Sequence, residues 1–325
     1  MTKKKTIVLL DWTEFPLEYR PELEKNQGFD IQYKFEKELT DQDFNETEVL
    51  IGNCKHDLLK KFRNLKWLQL ATSGADGYTT PGVLPKGTLL SGATGTFGIT
   101  IAEYLMATTL LIQRKLHRYM DNQRQSLWQK EGDIQSIYGS TFLIIGLGDI
   151  GTEFAKRVKA LGGYTIGIKR TIYGNEEHVD EVYTNAELDN QIPKADVIVS
   201  SVPNTPETLK MYNANRFAKM KKNAIFINVG RGNAVDTEAL CDALQNGELH
   251  GAVLDVTDPE PLPKEHRAWQ IPNLVITPHV SGNYDLKETK DRLIDIVTQN
   301  MEHFLNGTPL QSEIDFQTGY SKKKL

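Results

Sequence analysis

Apolar and β-branched residues gather in short runs over the first hundred positions, at 6–11, 29–35, 48–53 and 65–71, separated by polar stretches of helix or loop character. This spacing predicts an α/β segment. Between 96 and 117 the pattern changes. Ile99, Ile101, Ala102, Leu105, Met106, Thr109 and Leu110 cover most of a helical surface there, which predicts a long, largely buried helix. A second series follows, with strands expected at 141–145, 164–168, 196–201, 224–229, 251–256 and 274–277, a helix running to about Leu161 and another at 237–245. Strands and helices alternating at these lengths imply a parallel sheet covered on both faces, hence a doubly wound domain. Leu286, Leu293, Val297, Met301, Phe304 and Leu305 then repeat at helical spacing up to Gly307, a suitable C-terminal cap. Too little chain follows for a third domain, so the tail is expected to return to the N-terminal one. The expected division is a smaller, discontinuous domain at 1–97 and 287–325 and a sheet domain at 98–286.

Composition narrows the function classes. A chain of 325 residues exceeds what one hydrophobic core usually supports, in line with two domains. Its net charge of −5 carries no basic footprint for nucleic acid, and no apolar run approaches the roughly 20 residues needed to cross a bilayer. The apolar stretch at 6–10 stops at Asp11 and is too short for an export signal. Cys54 and Cys241 are the only cysteines, too few for a disulfide framework or a thiolate zinc cage, and a reducing cytoplasmic setting is expected. The seven histidines show no spacing that aims two imidazoles at one ion, so no protein-bound metal is expected.

Candidate chemistry begins at G-L-G-D-I-G, where Gly146, Gly148 and Gly151 lie directly after the strand at 141–145 and before a helical stretch carrying Phe154, Ala155 and Val158. The first glycine permits a tight turn, the second a close approach of a pyrophosphate, and the third close packing of helix on strand. Amides of Asp149, Ile150 and Gly151 at the helix start would face the phosphate charge. A dinucleotide site is therefore predicted. An NAD site usually ends its second strand with an acid that binds the ribose hydroxyls. Here that strand runs into Lys169, Arg170 and Thr171, two cations and a hydroxyl that suit the extra 2′-phosphate of NADP. NADP is favoured over NAD, although solubility also places cations at strand ends.

Downstream lie V-P-N-T-P-E-T from Val202, N-V-G-R-G from Asn228, L-D-V-T-D-P-E-P-L from Leu254 and T-P-H-V-S-G from Thr277. Three of these put Arg231, Glu260 and His279 after apolar strands, whose carboxyl ends line the cofactor crevice of a doubly wound sheet. Taken singly, each residue has an ordinary structural explanation; jointly they point to one site. Over nearly its whole length the chain resembles the D-isomer-specific 2-hydroxyacid dehydrogenases, in the branch of glyoxylate and hydroxypyruvate reductases. The motifs occur in that family's order and spacing.

The resemblance implies a Rossmann cofactor domain, a smaller flavodoxin-like α/β substrate domain, and a homodimer built around the helix at 96–117. It implies that Arg231 binds the carboxylate and keto oxygen of a 2-keto acid, that His279 transfers the proton, and that Glu260 is the partner of His279. Ser73 and Gly74 match the loop whose amides hold the substrate carboxylate, with Asp76 just beyond. Asp255 matches the contact to the nicotinamide carboxamide, and Val202, Pro203, Thr205, Val229, Gly230 and Gly282 match cofactor-facing loops. Pocket walls are expected from Asn53, Cys54, Lys55 and His56, with Tyr104 or Trp128 as further candidates. Two departures stand out. Ser200 and Ser201 replace a histidine common before V-P, and no acid stands at Lys169; Glu260, by contrast, fits the family and speaks against the formate dehydrogenases, which are similar in fold but pair their histidine with a glutamine. Alternatives are a phosphoglycerate dehydrogenase variant and a dinucleotide-sensing corepressor of the same fold.

Overall fold

In the computed structural model, which describes residues 2–11, 17–174 and 176–322, the chain divides into two units, Met1–Thr96 with Tyr284–Leu325, and Phe97–Asn283. In the first unit, β1 (Lys4–Leu9), β2 (Phe29–Lys34), β3 (Val49–Ile51), β4 (Trp67–Gln69) and β5 (Leu89–Ser91) form a parallel sheet in the order β2-β1-β3-β4-β5. That order is the flavodoxin-like one. The pleat of β1 explains why both faces of the sheet are apolar. Ile7 and Leu9 pack with Leu50, Leu68 and Leu90, whereas Val8 points the other way, to Trp67, Leu293, Val297 and Met301.

The last three of these belong to the helix Lys287–Asn306, which stops where Gly307 takes a left-handed φ of 65°. A buried polar chain pins this helix to the sheet. The Trp67 indole donates to Ser91 Oγ (2.8 Å), Ser91 Oγ to Gln69 Oε1 (2.6 Å) and Asn300 Nδ2 to the same Gln69 oxygen (2.8 Å). Each member is satisfied, so burial of the polar groups costs little and fixes one register. The boundary at 283/284 precedes the expected one because the Tyr284 hydroxyl donates to the Ala71 carbonyl at 2.8 Å. Strand β5 has no counterpart in the sequence expectation. Three residues are too few to show a period, and pairing with β4 and the returning tail, where the Ile314 amide donates to Leu90 O at 2.7 Å, makes it a strand.

The second unit holds seven parallel strands: β6 (Thr141–Ile145), β7 (Tyr164–Ile168), β8 (Glu181–Tyr183), β9 (Val197–Ser200), β10 (Ile225–Asn228), β11 (Gly251–Leu254) and β12 (Leu274–Ile276). Their order, β12-β11-β10-β9-β6-β7-β8, reverses direction between β6 and β9, which is the topological switch point of a Rossmann sheet. The edge strand β8, half-buried and polar at its first position, again escaped the apolar pattern. The long helix expected at 96–117 is in fact two. Gly98–Gln113 ends as the Lys115 amide bonds back to Ile112 O, Lys115 turns left-handed (φ 56°), and Leu116–Arg124 follows. Among the described residues no helix is long and apolar enough to cross a membrane, and no group of three His, Cys, Asp or Glu side chains could hold a metal ion.

His117 and His250 are half-buried beside this break, and burial, as the first cause, lowers both imidazole pKa values below 6.5. The unfolded chain therefore binds more protons than the folded one as pH falls through 6.5, and stability is lost on the acid side. The melting temperature is expected to fall between pH 7.5 and 5.5, and to fall less in a His117→Gln/His250→Asn variant. An identical pH slope in that variant would rule out these two groups.

Candidate active site

The glycine-rich turn follows β6 at the switch point. Gly146 adopts a φ of 100°, and a Cβ there would meet Ser201 Oγ at 2.9 Å, while a Cβ on Gly151 would meet the Gly146 carbonyl oxygen at 2.2 Å. Gly148 has open space above it, and as N-cap of the helix Asp149–Ala160 it supplies no side-chain cap. Room and helix amides thus coincide where a pyrophosphate would lie, so the residues present fit a dinucleotide. Ser201, one of the two departures from the family pattern, donates its hydroxyl to Gly146 O at 3.0 Å and braces the turn.

At the end of β7 the structure changes the electrostatic picture. Lys169 Nζ lies 2.7 Å from Glu176 Oε1 and 5.1 Å above the Tyr173 ring centre. The Glu176 carboxylate also accepts the Tyr173 and Gly174 amides, and the lysine foremost, then the Tyr173 amide, pulls its pKa down to about 2. Lys169 is therefore paired within its own loop; Arg170 and Thr171 are exposed to solvent. In the loop after β9, Val202 and Thr205 are buried; the Thr205 amide donates to Thr208 Oγ1, and that hydroxyl donates to the carbonyl of Pro203, itself exposed.

Arg231 leaves the end of β10 in a loop with no spare room. A Cβ on Gly230 would come within 2.3 Å of Val202 O, and one on Gly232 within 2.0 Å of Thr257 O. Asn228 stitches the loop, donating to Arg231 O (2.9 Å) and accepting from the Gly230 amide (3.2 Å); Val229 between them is buried. Arg231 itself is half-buried and donates to Gly230 O at 2.8 Å.

His279 and Glu260, from loops after β12 and β11, meet at 2.7 Å between Nδ1 and Oε1, with half of the imidazole exposed. A carboxylate accepts only, so Nδ1 carries the proton and Nε2 is the ring's other functional end. His279 has a left-handed φ of 53°, uncommon for a residue with a side chain. Gly282 lies at the end of the same loop, where a Cβ would meet Ile101 at 3.0 Å. Asp255 is buried, and its carboxylate accepts from the Thr277 hydroxyl and from the amides of Val280 and Ser281.

In the other unit, the loop carrying Ser73 and Gly74 follows β4. Ser73 Oγ donates to Ala93 O, and Thr72 Oγ1 donates to Gly74 O at 3.0 Å. Asn53 braces this loop, its amide oxygen accepting from the Ala71 N–H and its amide nitrogen donating to Thr72 Oγ1. Its neighbours are likewise engaged. Burial pushes the Cys54 thiol up to about 12, Lys55 pairs with Glu36 at 2.9 Å, and His56 packs edge-on against Tyr78. Trp128 is fully exposed, and Tyr104 is hydrogen-bonded to Thr277. Glu176, Ser201, Thr277 and Asn53 went unnoticed in the sequence as loop braces. For Ser201, Thr277 and Asn53 the only signal is a polar residue at the end of an apolar strand, which most strand ends share; Glu176, in a polar loop, has none.

Residues 106–281 match the family described as D-isomer specific 2-hydroxyacid dehydrogenase, NAD binding domain. Among curated proteins, the chain is 32% identical to a glycerate dehydrogenase of Methylorubrum extorquens over 263 residues, which cover 78% of this chain and 80% of that one. It is 31% identical to a glyoxylate/hydroxypyruvate reductase B of Klebsiella pneumoniae over 273 residues, covering 81% and 83%. Among solved structures, an NADPH-dependent glyoxylate/hydroxypyruvate reductase of Sinorhizobium meliloti, in complex with NADP and sulfate, superposes with a TM-score of 0.83 at 28% identity, covering 98% of this chain and all of the other.

Proposed function

Because the chain belongs to the D-isomer specific 2-hydroxyacid dehydrogenase family, we propose that it interconverts a small 2-keto acid and the D-2-hydroxy acid, with NADP as the favoured dinucleotide and NAD as the alternative. The observation that carries this reading is the 2.7 Å pairing of His279 with Glu260 in the unit that also holds Arg231 and the glycine-rich turn. A sensing module has no need of an imidazole oriented by a carboxylate.

The bound nicotinamide supplies the hydride, or takes it up in the reverse direction. The chain's own residues do the rest. The Arg231 guanidinium holds the substrate carboxylate and polarises the adjacent keto oxygen, which leaves the carbonyl carbon electron-poor. Ser73 and Gly74 add backbone donors to the carboxylate. His279 Nε2 gives a proton to the developing alkoxide, and Glu260 holds the tautomer that this transfer requires. Amides of Gly148, Asp149, Ile150 and Gly151 bind the pyrophosphate, while Val202, Pro203, Thr205, Val229, Gly230 and Gly282 shape the cofactor's bed. Asp255 keeps one Oδ2 lone pair for the carboxamide.

Arg170 and Thr171 read the 2′-phosphate, with Lys169 contributing less because Glu176 already meets its charge. The NADPH dependence of the Sinorhizobium meliloti relative supports this choice. A homodimer is part of the proposal. Leu116, Met120, Leu127, Trp128 and Ile134 are all exposed along the stretch that follows the helix Gly98–Gln113, apolar side chains that a second copy of the chain would cover.

NADPH and NADH consumption, measured across glyoxylate, hydroxypyruvate, branched and aromatic 2-keto acids and 3-phosphohydroxypyruvate, tests the reading. Turnover with glyoxylate or hydroxypyruvate is expected, faster with NADPH. Arg170→Ala should raise the NADPH Kd about tenfold or more, as for a lost charge-assisted bond, with NADH little changed and Lys169→Met milder. Turnover of none of these acids would overturn the proposal, and equal effects of Arg170→Ala on both dinucleotides would remove the cofactor claim.

A further inference from the structure

His279 holds its left-handed backbone without the freedom of glycine, at a cost of about 1 kcal/mol or more that its surroundings must offset. One residue receives the three consecutive amides of this turn. His279 N donates to Asp255 O (2.8 Å), Val280 N to Asp255 Oδ1 (2.9 Å) and Ser281 N to Asp255 Oδ2 (3.0 Å). The orientation of the Asp255 carboxylate therefore sets the position of the imidazole. That orientation is held in turn by Thr277, whose hydroxyl donates to Oδ1 at 2.6 Å. Thr277 Oγ1 also lies 2.6 Å from the hydroxyl of Tyr104, on the helix Gly98–Gln113. A threonine hydroxyl has one proton, and Asp255 takes it, so Tyr104 is the donor in this second bond. The chain is directional, Tyr104 O–H to Thr277 O–H to Asp255, and each bond polarises the next. Burial, as first cause, pushes the Tyr104 phenol up to about 12, so it remains a donor throughout the working range.

We infer that Tyr104 and Thr277 are positioning residues for the proton-transfer step: through Asp255 they lock the turn that aims His279, without touching substrate or cofactor. The inference rests on the reading of His279 as the proton-transfer residue. Losing the Thr277 hydroxyl frees the carboxylate to rotate, which loosens the Val280 and Ser281 bonds and displaces the imidazole. Displacements of 1 Å or less are costly at a proton-transfer site because the reacting geometry is narrow.

Thr277→Val, Thr277→Ser, Tyr104→Phe and the double variant Tyr104→Phe/Thr277→Val, each as full-length protein, test the chain with glyoxylate and NADPH, alongside His279→Ala. Thr277→Val should lower kcat roughly tenfold or more, a larger factor than any rise in the NADPH Kd measured by cofactor fluorescence, since the carboxamide that Asp255 meets is one of many cofactor contacts. Thr277→Ser keeps the hydroxyl and should restore most of kcat. Tyr104→Phe keeps the ring and its packing, and should lower kcat severalfold. The double variant should be no worse than Thr277→Val alone, since Tyr104 acts only through the threonine oxygen. Strictly additive losses in the double variant, failure of serine to rescue, or wild-type kcat in both single variants would overturn the inference. Where His279→Ala is inactive and Thr277→Val is not impaired, the positioning chain fails alone; where His279→Ala turns over like wild type, the underlying assignment fails with it.

Discussion

Replacing His279 by alanine is expected to lower kcat for keto-acid reduction by about 10²- to 10⁴-fold, the usual contribution of a positioned general acid. The NADPH Kd should stay within about twofold, because the pyrophosphate turn at Gly146–Gly151 and the strand end at Arg170 are separate loops of the same sheet. The 2.7 Å bond from Nδ1 to Glu260 gives this prediction a second arm. Glu260→Gln retains a hydrogen-bond acceptor but removes the charge that stabilises the imidazolium, so an intermediate loss is expected, steepest when the reaction is run as alcohol oxidation. Steady-state kinetics in both directions, together with fluorescence titration of NADPH, measure these effects. Turnover in His279→Ala close to that of the unaltered protein would refute its role.

The second large effect is expected at Arg231. Alanine there should reduce kcat/KM by about 10³-fold, as for loss of a principal donor to developing negative charge, and lysine should recover only part of it. Lysine supplies the charge but not the planar fork that can bind a carboxylate while reaching the keto oxygen. The loop should survive both changes, because its conformation is set by Asn228 and by the contacts that leave no space for a side chain at Gly230 and Gly232. Circular dichroism and an unchanged NADPH Kd check that assumption. Equal kcat/KM values for the alanine variant and the unaltered protein would show that another cation binds the substrate.

The residues that sequence reading overlooked share a physical cause. Thr277 sits at the end of L-V-I-T, where the strand pattern stops, and Tyr104, singled out only as a candidate pocket wall, lies on a helix whose apolar pattern gives no sign of a hydrogen-bonded phenol. Neither acquires meaning until β11 and β12 lie side by side and the helix Gly98–Gln113 brings a phenol to their ends. Glu176 is similar. Seven positions beyond Lys169 in a polar loop, it shows no sequence sign of folding back to pair with that lysine. Strands β5 and β8 escaped for a related reason. At three residues each they are too short for a period, and only neighbours already in place define them.

By itself the sequence determined what depends on local spacing. The glycines of G-L-G-D-I-G stand between an apolar strand and a helix, the apolar runs recur at the lengths of a parallel sheet, and Arg231, Glu260 and His279 each follow a strand, because backbone geometry and burial act over a few residues and leave a periodic trace. The tertiary structure alone decided which polar groups meet. The quenching of Lys169 by Glu176 and the bracing of His279 by Tyr104, Thr277 and Asp255 are contacts whose separation in sequence carries no signal, and the pairing of His279 with Glu260 was implied only by the family resemblance, not by spacing. Hydrogen bonds reach about 3 Å in space, and only the folded sheets bring their partners within that distance.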